Sequence, residues 1–283
     1  MEKINLCIAL FACLAGCSAS DEPAASLPLL VSAEIGNRTT RADAHDTDYD
    51  TKNFATGDEI AIANSGGGAS VNYRRTAAGA WTPSVSTSPM TTTGANETFV
   101  ATYPSDFTAI QSDQATPSAF WASNCLRATA RATANTVRFA FAPVACKLTL
   151  IMDYAAAHTD GTASVTGKGL HSGNSATSET ISLLTTSEVP YGTGSRHTFT
   201  CIFSPAAATS YIISVNSKVD TTNDAGSYVE NGTGLTFTPG YEYQYIFTSS
   251  SRLILTNVII KEFQPGFTDA GGNETEEDAG NAT

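Results

Sequence analysis

The residues able to do chemistry are few and scattered. Four histidines stand at His45, His158, His171 and His197, without the spacing that would set two imidazoles on one metal ion or one beside a nucleophile. No Gly-x-Ser-x-Gly elbow, phosphate-binding glycine loop or Cys-x-x-Cys pair occurs. The expectation is a protein that is not an enzyme and holds no metal or other cofactor. Asp46, Asp48 and Asp50 imitate the first three ligands of a calcium loop. Thr51, however, stands where that loop turns on Gly, and Gly57 stands where it requires Glu. A solvated acidic loop is expected there. Trp81, Trp121 and the tyrosines could stack on sugar rings, although strand aromatics more commonly fill cores.

Cysteine chemistry begins at the N-terminus. Met1-Glu2-Lys3 precedes an apolar run from Leu6 to Ala15, too short to span a bilayer and of signal-peptide length. It ends in Leu14-Ala15-Gly16-Cys17, which resembles the lipobox of bacterial lipoproteins. That resemblance implies that residues 1–16 are a lipoprotein signal peptide and that Cys17 becomes the acylated N-terminus, with palmitate among its chains. Several acyl chains anchor stably where one is marginal. Residues 17–26 then form a polar tether, and Asp21-Glu22 resembles the signal that sends some lipoproteins to the outer face of the cell. Cys7 and Cys13 leave with the signal. Cys125, Cys146 and Cys201 remain, an odd number that sets no disulfide framework. Buried thiols are expected, with one bridge left open.

The elements that position these residues are strands. Of 283 residues 41% are apolar and only 15% charged, against roughly 25% charged in an average soluble protein. Thr, Ser, Ala, Gly and Asn take up the difference, as on exposed strand faces and turns. The balance of 15 Lys+Arg against 27 Asp+Glu, a net charge of −12, repels phosphate backbones and argues against nucleic-acid partners. Period-two alternation puts Leu29, Val31, Ala33 and Ile35 on one face. It does the same for Ile60 with Ile62, Phe99 with Ala101, Val137 with Phe139 and Phe141, and Leu148 with Leu150. Phe199, Cys201 and Phe203 form another row, and Tyr241, Tyr243, Tyr245 and Phe247 the last. Gly66-Gly67-Gly68, Asn231-Gly232 and Pro239-Gly240 read as turns. No ten-residue stretch is convincingly amphipathic as a helix, and the best candidates, Asn124 to Thr133 and Tyr154 to His158, are short and Ala-rich. The expected architecture is all-β. It comprises an N-terminal β-sandwich over 27–132, a C-terminal one over 133–267, and a disordered acidic tail over 268–283.

Taken in order, the motifs resemble the fimbrillin family, the Mfa-like lipoprotein subunits of type V pili. The resemblance is carried by the lipobox, Arg38-Thr39-Thr40-Arg41-Ala42, and Phe54-Ala55-Thr56-Gly57-Asp58-Glu59-Ile60-Ala61-Ile62. It continues through Tyr73 and Trp81, Phe99 with Tyr103-Pro104, Val137-Arg138-Phe139-Ala140-Phe141 and Lys147-Leu148-Thr149-Leu150. It closes with Leu235-Thr236-Phe237-Thr238-Pro239-Gly240 ahead of the alternating tyrosines. The sequence departs from the family at Pro143, where the family often has His, and at Phe263, where it often has a Trp near the last strand.

The resemblance implies two tandem transthyretin-like Greek-key sandwiches and maturation by an arginine-specific protease that removes the first strand. That strand is 27–35, with Leu29, Val31, Ala33 and Ile35 inward, and the processing candidates are Arg38 and Arg41. Its loss bares a groove of unpaired backbone that a strand from another subunit fills. Four apolar side chains at roughly 1.5 to 3 kcal/mol each make about 6 to 12 kcal/mol of gross burial. The donor-strand candidates are Leu253, Leu255, Val258 and Ile260, which either swing to a neighbour or stay in their own sheet, as in a tip or accessory subunit. The implied partners are other pilus subunits, the protease, the membrane through Cys17 before maturation, and a surface receptor of unspecified identity. The implied location is a lipid-anchored outer-membrane precursor that moves to the cell surface and fimbrium. The competing expectation is a non-polymerising, lipid-anchored surface glycan-binding protein.

Overall fold

The structure, a computed structural model, describes residues 26–35, 54–84, 88–94, 96–174, 176–205, 212–219, 222–229, 237–249 and 252–262. The signal peptide, the tether with Cys17, Arg38, Arg41, the Asp46 to Asp50 loop and the acidic tail lie outside the described residues. The chain is all-β and forms two sandwiches in tandem.

The N-terminal lobe contains β1 (Leu27–Pro28), β2 (Leu30–Ile35), β3 (Glu59–Asn64), β4 (Val71–Arg75), β5 (Trp81–Pro83) and β6 (Thr91–Thr92). After these come β7 (Thr98–Tyr103), α1 (Pro117–Ser123), β8 (Leu126–Arg131) and β9 (Thr136–Pro143). Seven strands run in the order β2-β9-β8-β7-β3-β4-β5, and β1 pairs separately with β6. The curved sheet wraps a core of Leu29, Ile35, Phe54, Ile60, Ile62, Tyr73, Trp81, Phe99, Val137, Phe139 and Phe141. Period-two alternation causes this directly, because β9 buries Val137, Phe139 and Phe141 while Thr136, Arg138 and Ala140 face out.

The C-terminal lobe comprises β10 (Cys146–Tyr154), β11 (Gly161–Lys168), β12 (Ser178–Ser182), β13 (Leu184–Tyr191) and β14 (Gly194–Phe203). It is completed by β15 (Ile212–Val219), β16 (Thr222–Val229), β17 (Tyr241–Ser249) and β18 (Leu253–Glu262). A five-stranded sheet, β13-β14-β10-β17-β18, faces a four-stranded one, β12-β11-β15-β16. The chain crosses between sheets after each hairpin, which is the transthyretin-like order with one added edge strand, β13. The core between the sheets holds Leu148, Leu150, Val165, Ile181, Phe199, Phe203, Tyr245 and Phe247. At Gly194 the backbone passes so close to Tyr154 that a Cβ would fall onto its carbonyl oxygen, so only glycine fits.

One expectation is corrected. The lobes divide between Pro143 and Cys146, not at 132/133, because β9 lies in the N-terminal sheet. The Thr133 to Thr136 reversal, bridged between those two residues, is a hairpin turn whose small polar residues imitate a linker. The weak helix candidate over Asn124 to Thr133 contains strand β8, since the Leu126, Ala128, Ala130 alternation finds a partner in β7. The observed helix is α1, seven residues long, with Pro117 in its first turn and the Thr116 hydroxyl accepting from the Ala119 amide at 3.3 Å.

Candidate assembly site

The first strand sits in a slot made by two elements. Its start, β1, pairs with β6 through Leu27 and Thr92, and the Leu29 amide donates to the Met90 carbonyl at 2.7 Å. Its remainder, β2, runs parallel to β9 in register from Leu30 opposite Thr136 to Ile35 opposite Phe141. Asn135 anchors the turn into the slot, its side-chain amide donating to the Pro28 carbonyl at 3.0 Å. The face expected to point inward carries Leu29, Val31, Ala33 and Ile35. Leu29 (3% exposed) and Ile35 (5%) are buried at the two ends, and Val31 and Ala33 pack half-buried between them.

The outer face of the strand carries Leu30, Ser32 and Glu34. Leu30 is 57% exposed. Ser32 donates to the Val137 carbonyl at 3.4 Å. Glu34 meets Arg138, one guanidinium nitrogen lying 3.0 and 2.8 Å from the two carboxylate oxygens. Sequence reasoning missed Arg138 as a contact of this strand. The signal that could have found it is a lone cation on the polar face of an otherwise apolar, aromatic strand.

Leu253, Leu255, Val258 and Ile260 all lie in β18, antiparallel to β17 in their own sheet. Their uneven spacing has a cause. A register shift opposite Ile246 and Phe247 leaves Thr256 as an extra residue, its hydroxyl donating to the Ile246 carbonyl at 2.9 Å. The bulge puts all four side chains on one face of the strand despite a three-residue step, with Leu253, Leu255 and Val258 packed on the core. Ile260 at 38% and the outward Ile254 at 44% stay exposed.

The lobes are joined by the segment between β7 and β8. Phe120 of α1, with Ile110, packs on Ala145, Leu184 and Ile202. The Gln114 side chain forks onto Ile202, donating to its carbonyl at 2.7 Å and accepting from its amide at 2.8 Å. Beside it the Gln114 amide donates to the Ser182 carbonyl and the Ser182 amide to the Ser112 carbonyl, both at 2.9 Å. Gln114 therefore continues the hydrogen bonding of β14 beyond the end of β13.

The remaining candidates divide. Trp81 is 7% exposed and packs edge-on against Phe54 at 5.1 Å, so it offers no ring face to a sugar. Trp121 is half-buried in α1. Cys125, Cys146 and Cys201 are free and buried, and burial pushes all three thiols up. His158 and His197, distant in sequence, flank Tyr154 at 5.5 and 5.2 Å between ring centroids. His197 also bridges Glu188 at 3.1 Å and Ser195 at 3.0 Å. That chain of serine, histidine and carboxylate is wired like a nucleophile relay. Ser195, however, is 3% exposed and its hydroxyl also accepts from the His158 amide at 3.2 Å, so no substrate carbonyl reaches it. Among the described residues no group of three or more His, Cys, Asp or Glu is placed to hold a metal ion, and no helix is long and apolar enough to cross a membrane.

No protein-family profile matches the chain, and no curated protein does. Solved structures do. A candidate cell adhesion protein from Bacteroides ovatus is 14% identical, with a TM-score of 0.58 over 84% of this chain and 98% of that one. A second, from Bacteroides uniformis, is 16% identical, with a TM-score of 0.54 over 84% of this chain and 99% of that one. At these identities the likeness is one of fold. The tandem-sandwich fold of this chain is the one found in these two candidate adhesion proteins, in agreement with the fimbrillin resemblance carried by its motifs.

Proposed function

We propose that the chain is a non-enzymatic structural or adhesive subunit of a type V pilus, assembled when the strand 27–35 is removed and another subunit's strand takes its slot. The observation that carries the reading is the parallel strand itself. It covers the N-terminal core with four apolar side chains and reaches the rest of its lobe only through 36–53, which contains Arg38 and Arg41. One cut there by an arginine-specific protease frees it. The adhesion proteins of like fold support this reading, as does the order of the motifs. Signal-peptide removal, lipidation at Cys17 and outer-membrane anchoring of the precursor precede the cut, and the mature subunit resides in the fimbrium at the cell surface. With Leu253, Leu255, Val258 and Ile260 bound in their own sheet, a tip or accessory position suits the subunit better than a stalk position.

N-terminal sequencing of the protein taken from the cell surface tests the cut. A start at Thr39 or Ala42, with heat-labile but SDS-resistant multimers, is the expected result. A blocked Cys17 on a monomer that never joins a multimer would sink the proposal.

A further inference from the structure

Building on the strand-replacement reading, we propose that the slot is selective for charge and direction, and that Arg138 is its specificity-determining residue. The partner it fits is a strand of a different subunit that runs parallel to β9. On the inner face that strand carries a bulky, a medium, a small and a bulky residue at alternate positions. On its outer face it carries a carboxylate one residue before the last of them.

Each part of this description is set by a contact of the resident strand. The slot is deep where Leu29 and Ile35 are buried and shallow where Val31 and Ala33 pack, so bulk is accepted at the ends. The parallel register along β9 fixes direction, and a slip by one residue would turn every inner side chain outward. Asn135 holds the backbone of the incoming strand at the Pro28 carbonyl, without regard to sequence. Arg138 alone reads a charge. Among the outward residues of the resident strand only Glu34 is ionised, and its two oxygens lie 3.0 and 2.8 Å from one guanidinium nitrogen.

The same geometry excludes this chain's own β18. Its four apolar residues share a face only because Thr256 bulges, and the bulge is accommodated by the register shift in β17. β9 alternates without interruption from Thr136 to Phe141 and offers no such accommodation. Laid straight, every seven-residue placement within Leu253–Glu262 puts Thr256 or Asn257 on the inner face, and none puts a carboxylate at the Glu34 position. A second copy of the chain therefore does not fill the slot through β18.

The test uses the full chain with a sequence-specific protease site inserted between Arg38 and Arg41. After cleavage it is offered labelled peptides: residues 26–35, the same peptide with Glu34→Lys, and residues 252–262. Fluorescence anisotropy reads entry. The 26–35 peptide is expected to enter, and the lysine version about fivefold less well, the scale of an exposed ion pair. Arg138→Glu is expected to invert that ranking and Arg138→Gln to level it, while the 252–262 peptide stays out. Arg138 is largely exposed, so both substitutions leave the fold in place. Equal entry of the glutamate and lysine peptides, or equal entry of the 252–262 peptide, overturns the selectivity and leaves strand replacement standing. Failure of every peptide, the chain's own included, overturns both.

Discussion

β2 and β18 are both terminal strands of their sheets, and each brings apolar side chains to a core edge, yet they are held by different means. β18 follows β17 through a short connection and pairs antiparallel with it from Tyr241 opposite Glu262 to Ser249 opposite Leu253. β2 pairs parallel with β9, a pattern slightly weaker per residue, and has no hairpin to return it to its sheet if it leaves. Pulling β18 out means opening a hairpin whose register a bulge has already locked. β2 needs one backbone cut and the loss of its own ladder. The lesson is that similar apolar cover can be either permanent or exchangeable, and connectivity decides which.

The comparison breaks most visibly if β2 is taken away. Leu29 and Ile35 are the fully buried residues of the strand, and at roughly 1.5 to 3 kcal/mol each their loss removes about 3 to 6 kcal/mol of gross burial. Calorimetry on a chain lacking residues 27–35 should show the N-terminal lobe melting well below the C-terminal lobe. If both lobes lose stability equally, β2 does not belong to one lobe alone. A matched pair of cavities follows. Phe139 lies opposite Ala33 of β2, and Phe247 lies opposite Leu255 of β18. Each →Ala change should cost about 3 to 5 kcal/mol. By amide exchange, Phe139→Ala should release β2 entirely, whereas Phe247→Ala should leave β18 protected by its hairpin. Comparable exchange in both strands would remove the distinction.

How much of this was legible in the sequence follows from which interactions are local. Alternation names core faces wherever a strand has one dry side, so Ile60, Phe139, Leu148 and Phe199 fell on inner faces as expected. The lobe boundary was displaced because turn residues at 133–136 look the same in a hairpin as in a linker. The short helix α1 was not named, and Ala-rich β8 looked like a weak helix candidate because only pairing with β7 makes it a strand. Arg138, Gln114 and the Glu188, Ser195 and His197 cluster were invisible as contacts, because each joins residues through pairing that no local pattern encodes.

Gln114 gives a smaller test, of whether the lobes share stability. Gln114→Ala leaves the Ile202 amide and carbonyl without their buried partner, at a cost of about 1 to 3 kcal/mol. The C-terminal transition should fall, and the two transitions should separate. If they stay superimposed, the Phe120 and Ile110 packing is enough to couple the lobes.

The smallest effect is acid sensitivity, and it distinguishes the lobes again. In the N-terminal lobe the hydrogen bond from Arg74 at 2.8 Å, with those from Ser84 and Ser105, holds the Glu59 carboxyl below its ordinary value of 4.5. In the C-terminal lobe burial alone would raise Glu179. The Ser172 hydroxyl and the amides of His171 and Ser172, at 2.8 and 3.1 Å, outweigh it and leave that carboxyl lowered as well. A carboxyl whose pKa falls on folding stabilises above its unfolded value and loses that contribution as pH drops through the folded one. Stability should therefore decline below about pH 4.5, the ordinary carboxyl value, in both lobes. Arg74 is 59% exposed, so solvent screens the Glu59 pair to less than about 1 kcal/mol. Glu179, 7% exposed and bonded to two backbone amides, should carry the steeper part. Melting curves of Glu59→Gln and Glu179→Gln between pH 3 and pH 7 check this, with the second flattening the acid limb of its lobe more than the first. The reverse order would mean that the exposed pair at the edge of the exchangeable lobe outweighs the buried one, against the screening expected at that surface.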